Sequence, residues 1–109
     1  DLGVVKRGEV WLIDLNPVRG HEISKTRPCV IVSPDEMNDR LRTAAVAPMT
    51  TGSRPARFRI PIHFQGKDGL IVLDHLRSAD KTRLIRKLGA LGATELSLTL
   101  ATLRDMFED

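Results

Sequence analysis

Residues 7–34, RGEVWLIDLNPVRGHEISKTRPCVIVSP, set two apolar runs on either side of a polar loop, and their reading decides the fold. Residues 9–15, EVWLIDL, are rich in Val, Trp and Ile and read as a strand. Apolar groups fall on both parities of that run, which predicts burial on both faces. Asn16-Pro17 breaks it. Residues 28–33, PCVIVS, form a second continuous apolar run and a second strand. Between the two, the loop gathers His21, Glu22, Lys25 and Arg27. Loops held by a rigid sheet are where catalytic and binding groups concentrate. Pro28 restricts the backbone of Arg27 to extended conformations.

The pattern continues outward from this pair. Residues 34–42 are polar and leave room for one helical turn, capped by Ser33 or Asp35. Residues 43–49, TAAVAPM, predict a third strand, and 51–55, TGSRP, a turn. Over 57–64, Phe58, Ile60, Ile62 and Phe64 alternate with Arg57, Arg59, Pro61 and His63, so one face is core and the other wet. Proline cannot donate to a ladder, and Pro61 therefore predicts an edge strand. Residues 70–74, LIVLD, predict another buried strand, continued over 75–79 after a bend. Residues 84–88 fit either a strand or a helix. Thr94 is the expected N-cap of a final helix, with Glu95 in its first turn and Leu96, Leu100, Leu103 and Phe107 at helical spacing. The fold class is mainly β (α+β): short antiparallel strands closing into a small barrel or strongly bent sheet, with one C-terminal helix.

Composition bounds the function. The chain has 109 residues, room for one core and one domain over 1–109. No apolar run approaches the roughly 20 residues that span a bilayer. No charged start leads into an apolar stretch as a signal peptide would, so the expectation is a cytoplasmic protein with no membrane association. A single cysteine, Cys29, excludes an internal disulfide and fits a reducing compartment. Cys29 and Trp11 both read as core. With 3 His and 1 Cys, no zinc-ligand spacing exists, and neither metal nor cofactor is expected. A net charge of +3 permits a nucleic-acid partner without demanding one. Aromatic residues, at 4%, are too scarce for a broad base-stacking sheet.

If strands 28–33 and 43–49 pair antiparallel, Arg27 and Thr50 meet at one rim beneath the 16–26 loop. That rim then carries a guanidinium, a hydroxyl, a carboxylate and an imidazole. The set suits cleavage of RNA by its own 2′-hydroxyl: a base takes the 2′ proton, the oxygen attacks phosphorus, and an acid protonates the leaving 5′ oxygen. The dianionic phosphorane needs cations and donors aimed at it, and an Arg fork matches two phosphate oxygens at once.

At these residues the chain resembles the MazF/PemK (Kid) family of toxin endoribonucleases. The resemblance is carried by RGEVWLIDLNPVRGHE, TRPCVIVSP, APMTTGS and DGLIVLDHLRSADKTR, in family order and at close to family spacing. It implies an SH3-like barrel of the MazF/CcdB type and the toxin of a type II toxin–antitoxin system. It further implies a sequence-specific, metal-independent endoribonuclease, or mRNA interferase. Such an enzyme cleaves single-stranded mRNA to a 2′,3′-cyclic phosphate and a 5′-hydroxyl. The implied partners are a second copy of the chain in a homodimer and a cognate MazE/PemI-like antitoxin with an acidic tail. Carried over by position, the catalytic set is Arg27, Thr50, Glu22, His21 and Asp74. The RNA-contacting set is Asn16, Arg19, Lys25, Thr51, Ser53, His75 and Arg77. The chain departs from the family pattern at four of its positions. Ile23 stands where many members have Gln, Lys25 where Gly is common, and His75 where Gln is usual. Val72 stands where one member has a proposed catalytic Arg.

Three further features have a plain reading. His63 lies on a wet strand face, the C-terminal Leu stripe packs the core or a dimer surface, and Arg83, Arg86 and Lys87 form a solvated basic face or a dock for the antitoxin tail. The alternative function is a CcdB-like toxin that binds DNA gyrase without cleaving nucleic acid; a silent RNA binder is a third. Fold alone does not separate them, whereas a phosphate-stabilising rim favours cleavage.

Overall fold

The computed structural model describes residues 4–17, 19–21 and 25–108. The first two runs form β1 (Glu9–Asp14) and β2 (Thr26–Ile31), antiparallel, with Trp11 opposite Cys29 and Ile13 opposite Arg27. A short helix α1 (Asp35–Arg40) follows. Ser33 does not cap it: its hydroxyl is held by the buried Asn38 side chain, and Pro34 occupies the cap position. Then come β3 (Thr43–Thr50), β4 (Arg59–Phe64) and β5 (Lys67–Val72). A 3₁₀ turn over Leu73–His75 separates β5 from β6 (Arg77–Asp80), so the expected continuation over 75–79 is a new strand pairing with β3. The segment left open between strand and helix is β7 (Leu84–Ala90), paired with β1. Helix α2 (Ala93–Met106) is the last element.

The strands run β4-β5-β3-β2-β1-β7, with β6 alongside β3, as one sheet curled into a half-barrel. β4 is an end strand, as Pro61 predicts. The curl brings the two ends together: Phe64 of β4 packs on Gly89 of β7, and the Gln65 side-chain amide donates to the Leu88 carbonyl at 3.3 Å.

The double parity of the opening run has its counterpart in two cores, one on each face of the central strands. Trp11, Ile13, Cys29, Ile31 and Val46 fill one. Val10, Val30, Met49, Ile60, Ile62 and Ile71 fill the other, where Leu103 and Met106 of α2 pack against them. Fully burying an aliphatic side chain of this size contributes about 1.5–3 kcal/mol. Gly8, at φ +89°, lies under Leu96 of α2; a Cβ there would sit 2.9 Å from a Leu96 methyl. Glycine thus serves both the turn and the seat of the helix.

Helix α2 begins one residue before the expected cap. Its N-cap is Gly92, whose N–H donates to the Glu95 carboxylate at 3.1 Å, leaving Thr94 inside the first turn. The helical stripe also ends early: Phe107 is the C-cap and is 74% exposed. Thr99, outside the predicted stripe, is fully buried, its hydroxyl satisfied by the Glu95 carbonyl at 2.8 Å.

Candidate functional site

Two depressions lie beside β3, and between them they hold seven of the twelve predicted site residues. The first, about 220 Å³, contains Arg27 and Thr50. The β2–β3 ladder pairs Cys29 with Pro48, and two residues further out Arg27 and Thr50 come side by side at its end. Arg27 is half-buried, its backbone held in the β1–β2 ladder opposite Ile13. The Thr50 hydroxyl accepts the Gly52 N–H at 3.2 Å, which shapes the turn that follows. Thr51 lines the same depression.

Four of its lining residues escaped sequence reasoning: Phe64, Gln65, Lys67 and Gly69. They belong to the β4–β5 hairpin, which folds across the end of β3. Gly69 makes this approach possible, since a Cβ there would lie 2.8 Å from the Thr50 carbonyl oxygen. The depression therefore joins two cations, Arg27 and Lys67, to two hydroxyls over an apolar floor of Met49, Ile62 and Phe64. Cations and hydroxyls suit a phosphate, and the apolar floor with its aromatic ring suits a base laid flat.

The second depression, about 320 Å³, is lined by Leu15, His21, Pro48, Asp74, His75, Leu76 and Arg77. Pro48 and Met49, successive residues of β3, each line one depression. Asp74 sits in the 3₁₀ turn after β5, where Arg59 of β4 grips it with a two-pronged fork. Arg59 Nε donates to Oδ1 at 3.1 Å and a terminal nitrogen to Oδ2 at 2.9 Å. Hydrogen bonding to Arg59 holds the Asp74 carboxyl below its ordinary value. Val72 is fully buried, and the residue opposite it across the ladder is Arg59. The guanidinium beside the late aspartate is thus supplied by the neighbouring strand. His75 Nε2 is 3.9 Å from Asp74 Oδ2. Arg77 donates to the Leu15 carbonyl at 2.9 Å, pinning the start of the loop.

The loop is closed at its base by Asn16, whose side-chain oxygen accepts the Lys25 N–H at 3.1 Å, while the Leu15 N–H donates to the Lys25 carbonyl at 3.0 Å. Asn16 thereby shapes the loop. Lys25 adopts φ +69°, a left-handed conformation that accounts for the glycine common at this position. His21 and Arg19 are exposed on the described part of the loop, and Ser53 is half-buried after β3. Arg19 and Ser53 line neither depression. Glu22 lies outside the described residues. The basic cluster near β7 is largely committed to the fold: Arg83 donates to the carbonyls of Asp14 and Asn16, and Lys87 pairs with Glu9 at 2.7 Å. Arg86 is exposed. His63 is exposed and meets Asp68 at 2.7 Å.

The chain is similar to known proteins over nearly its whole length. Residues 6–107 match the family described as PemK-like, MazF-like toxin of type II toxin–antitoxin system. Endoribonuclease MazF of Staphylococcus epidermidis is 37% identical over 101 residues, covering 85% of this chain and 82% of that protein. Endoribonuclease MazF of Staphylococcus saprophyticus is 36% identical over 118 residues, covering 93% and 97%. The fold is similar to the crystal structure of MazF from Deinococcus radiodurans, with a TM-score of 0.83, 25% identity and 94% and 96% of the two chains covered. A chain of the MazE–MazF structure from the same organism superposes with a TM-score of 0.73 at 24% identity, covering 94% of each. With nearly its whole length matched, the chain belongs to the PemK-like, MazF-like toxin family of type II toxin–antitoxin systems.

Proposed function

We propose that this toxin is an endoribonuclease that cuts single-stranded RNA at a short sequence, without metal, leaving a 2′,3′-cyclic phosphate and a 5′-hydroxyl. The observation that carries the reading is the meeting of Arg27 and Thr50, from two paired strands, in a depression that also holds Lys67 and Phe64. The relatives named endoribonuclease support the same activity.

In this reading Arg27 and Lys67 straddle the scissile phosphate, and the Thr50 hydroxyl donates to one of its oxygens. A base from the loop, His21 or Glu22, removes the 2′-hydroxyl proton. The 2′ oxygen bonds to phosphorus, the bond from phosphorus to the 5′ oxygen breaks, and that oxygen takes a proton from water. The cations stabilise the phosphorane charge, the part that a metal ion plays in other nucleases. Asp74, held ionised by Arg59, serves as an acceptor for donors on the RNA in place of an acid. Arg19, Lys25, Thr51, Ser53, His75 and Arg77 extend the contact along the strand. The toxin acts in the cytoplasm as a homodimer and is silenced by a cognate MazE/PemI-like antitoxin. The likeness to a chain of a MazE–MazF structure supports that pairing.

The test is incubation of the purified protein with a long unstructured RNA in EDTA, followed by mapping of fragment ends. Cuts at one short motif with cyclic phosphate ends, absent in Arg27→Ala and Thr50→Ala, are the expected result. Intact RNA with a folded protein would move the function to gyrase binding or to silent RNA binding. Loss in EDTA with recovery on adding a divalent ion would overturn metal independence.

A further inference from the structure

Arg59 engages three acceptors at once. Its fork holds both oxygens of Asp74, and its remaining terminal nitrogen donates to the Arg54 carbonyl at 3.1 Å. The first acceptor pair belongs to the turn after β5, which lines the second depression. The other belongs to the 51–58 segment, which starts at Thr51 on the edge of the first. Two backbone bonds run parallel to this clamp: Leu73 N–H to the Phe58 carbonyl at 3.0 Å and Arg59 N–H to the Ala56 carbonyl at 3.1 Å. The Arg59 side chain is 22% exposed and that of Asp74 39%, so the pair sits at the surface where a ligand reaches it.

We propose that Arg59 is a positioning residue of the cleavage site, clamping Asp74 and the 51–58 segment so that the walls of both depressions are set together. The inference rests on the endoribonuclease reading and deepens it. Asp74 has two oxygens, and each gives one lone pair to Arg59 while keeping another for the RNA. Without the fork the carboxylate is free to rotate, and the contact it offers the RNA is smeared over several rotamers. A lysine keeps the charge but cannot hold both oxygens and the carbonyl together, because an ammonium lacks the planar fork.

The test is a double-mutant cycle on cleavage: wild type, Arg59→Ala, Asp74→Asn and the double variant, with kcat and KM on a defined RNA and a thermal melt of each. If Arg59 acts through Asp74, each single variant lowers kcat/KM by about 10–100-fold and the double is no slower than the slower single. Arg59→Lys recovers less than half of the loss on a logarithmic scale. Multiplying effects, or an Arg59→Ala variant that cuts like wild type, would overturn the inference while leaving the nuclease reading intact. If Arg59→Ala does not fold, the cycle is run with Arg59→Lys, and the same pattern decides. Coupling seen in the melts and absent from the rates would reduce the pair to a fold contact and also overturn it. A wild type that cuts no RNA sinks the nuclease reading and the inference together.

Discussion

At the scale of the residue, Arg27 carries the sharpest expectation. Its backbone is fixed by the ladder and by Pro28, and its guanidinium borders the core without filling it. Arg27→Ala should lower cleavage by at least about 100-fold, the size seen when an anion-stabilising donor is removed, with an unchanged circular dichroism spectrum. Lys25 makes a different case. A left-handed lysine costs about 1 kcal/mol that glycine avoids. Lys25→Gly should therefore raise the melting temperature while raising KM for RNA, the one through strain relief and the other through a lost cation. A melting temperature that falls would show that φ +69° is not the strained conformation it looks like. Glu9 is buried on β1, where burial pushes its carboxyl up but hydrogen bonds from Lys87, the Lys6 N–H and the Trp11 indole outweigh it. The net shift is below the ordinary 4.5, so on acidification the unfolded chain takes up its proton first. That stability is fully present above about pH 4.5 and is lost as pH falls through the folded value. Glu9→Gln should cost about 1–2 kcal/mol at neutral pH and flatten the acid side of the stability curve, which urea titrations from pH 3 to 7 would read.

At the scale of the element, β3 is where the site is made. Its residues 43–46 pair with β6, residues 46–48 with β2, and its last two, Met49 and Thr50, with β5, so it hands the chain from one part of the curl to the other. The turning point is Thr50, and Gly69 lets β5 come against it. Gly69→Ala should push the hairpin off Thr50, cost about 1–3 kcal/mol and slow cleavage more than tenfold; equal activity would show that the hairpin can shift without moving Thr50. The same element explains what the sequence disclosed. Arg27 and Thr50 were legible because one antiparallel pairing between adjacent strands places both, and such pairings follow from chain order. Lys67 and Phe64 were not, because their arrival depends on a hairpin crossing a bent strand, and no local pattern records the bend. The Arg59–Asp74 fork was hidden for the same reason: its partners are 15 residues apart and meet only through register. The start of α2 was misplaced because a glycine has no side chain to announce a cap, and Glu95 does that work from within. Residues 84–90 put Arg86 and Lys87 side by side in an otherwise apolar run and so break the period-two alternation, and their strand character comes from pairing with β1 rather than from their own pattern.

At the scale of the molecule, charge and shape act together. The net charge is +3, and the first depression draws its local positive field from Arg27 and Lys67. With about three phosphates contacted, kcat/KM should fall about 5–20-fold between roughly 50 and 200 mM salt, the loss appearing in KM. A rate indifferent to salt would mean that the backbone phosphates are not what the depression holds. No helix among the described residues is long and apolar enough to cross a membrane.

The half-barrel stops at β4, whose one neighbour in the strand order is β5. A sheet that ends in an open strand can recruit copies of itself, and polymers grow from such ends. Pro61, in the middle of β4 and exposed, lacks the N–H that an incoming strand would need, and Arg59 and His63 flank it with polar side chains. The proline that marked an edge in the sequence is thus also a brake on fibre growth, because it denies the sheet's open end one of the donors by which a further copy would add.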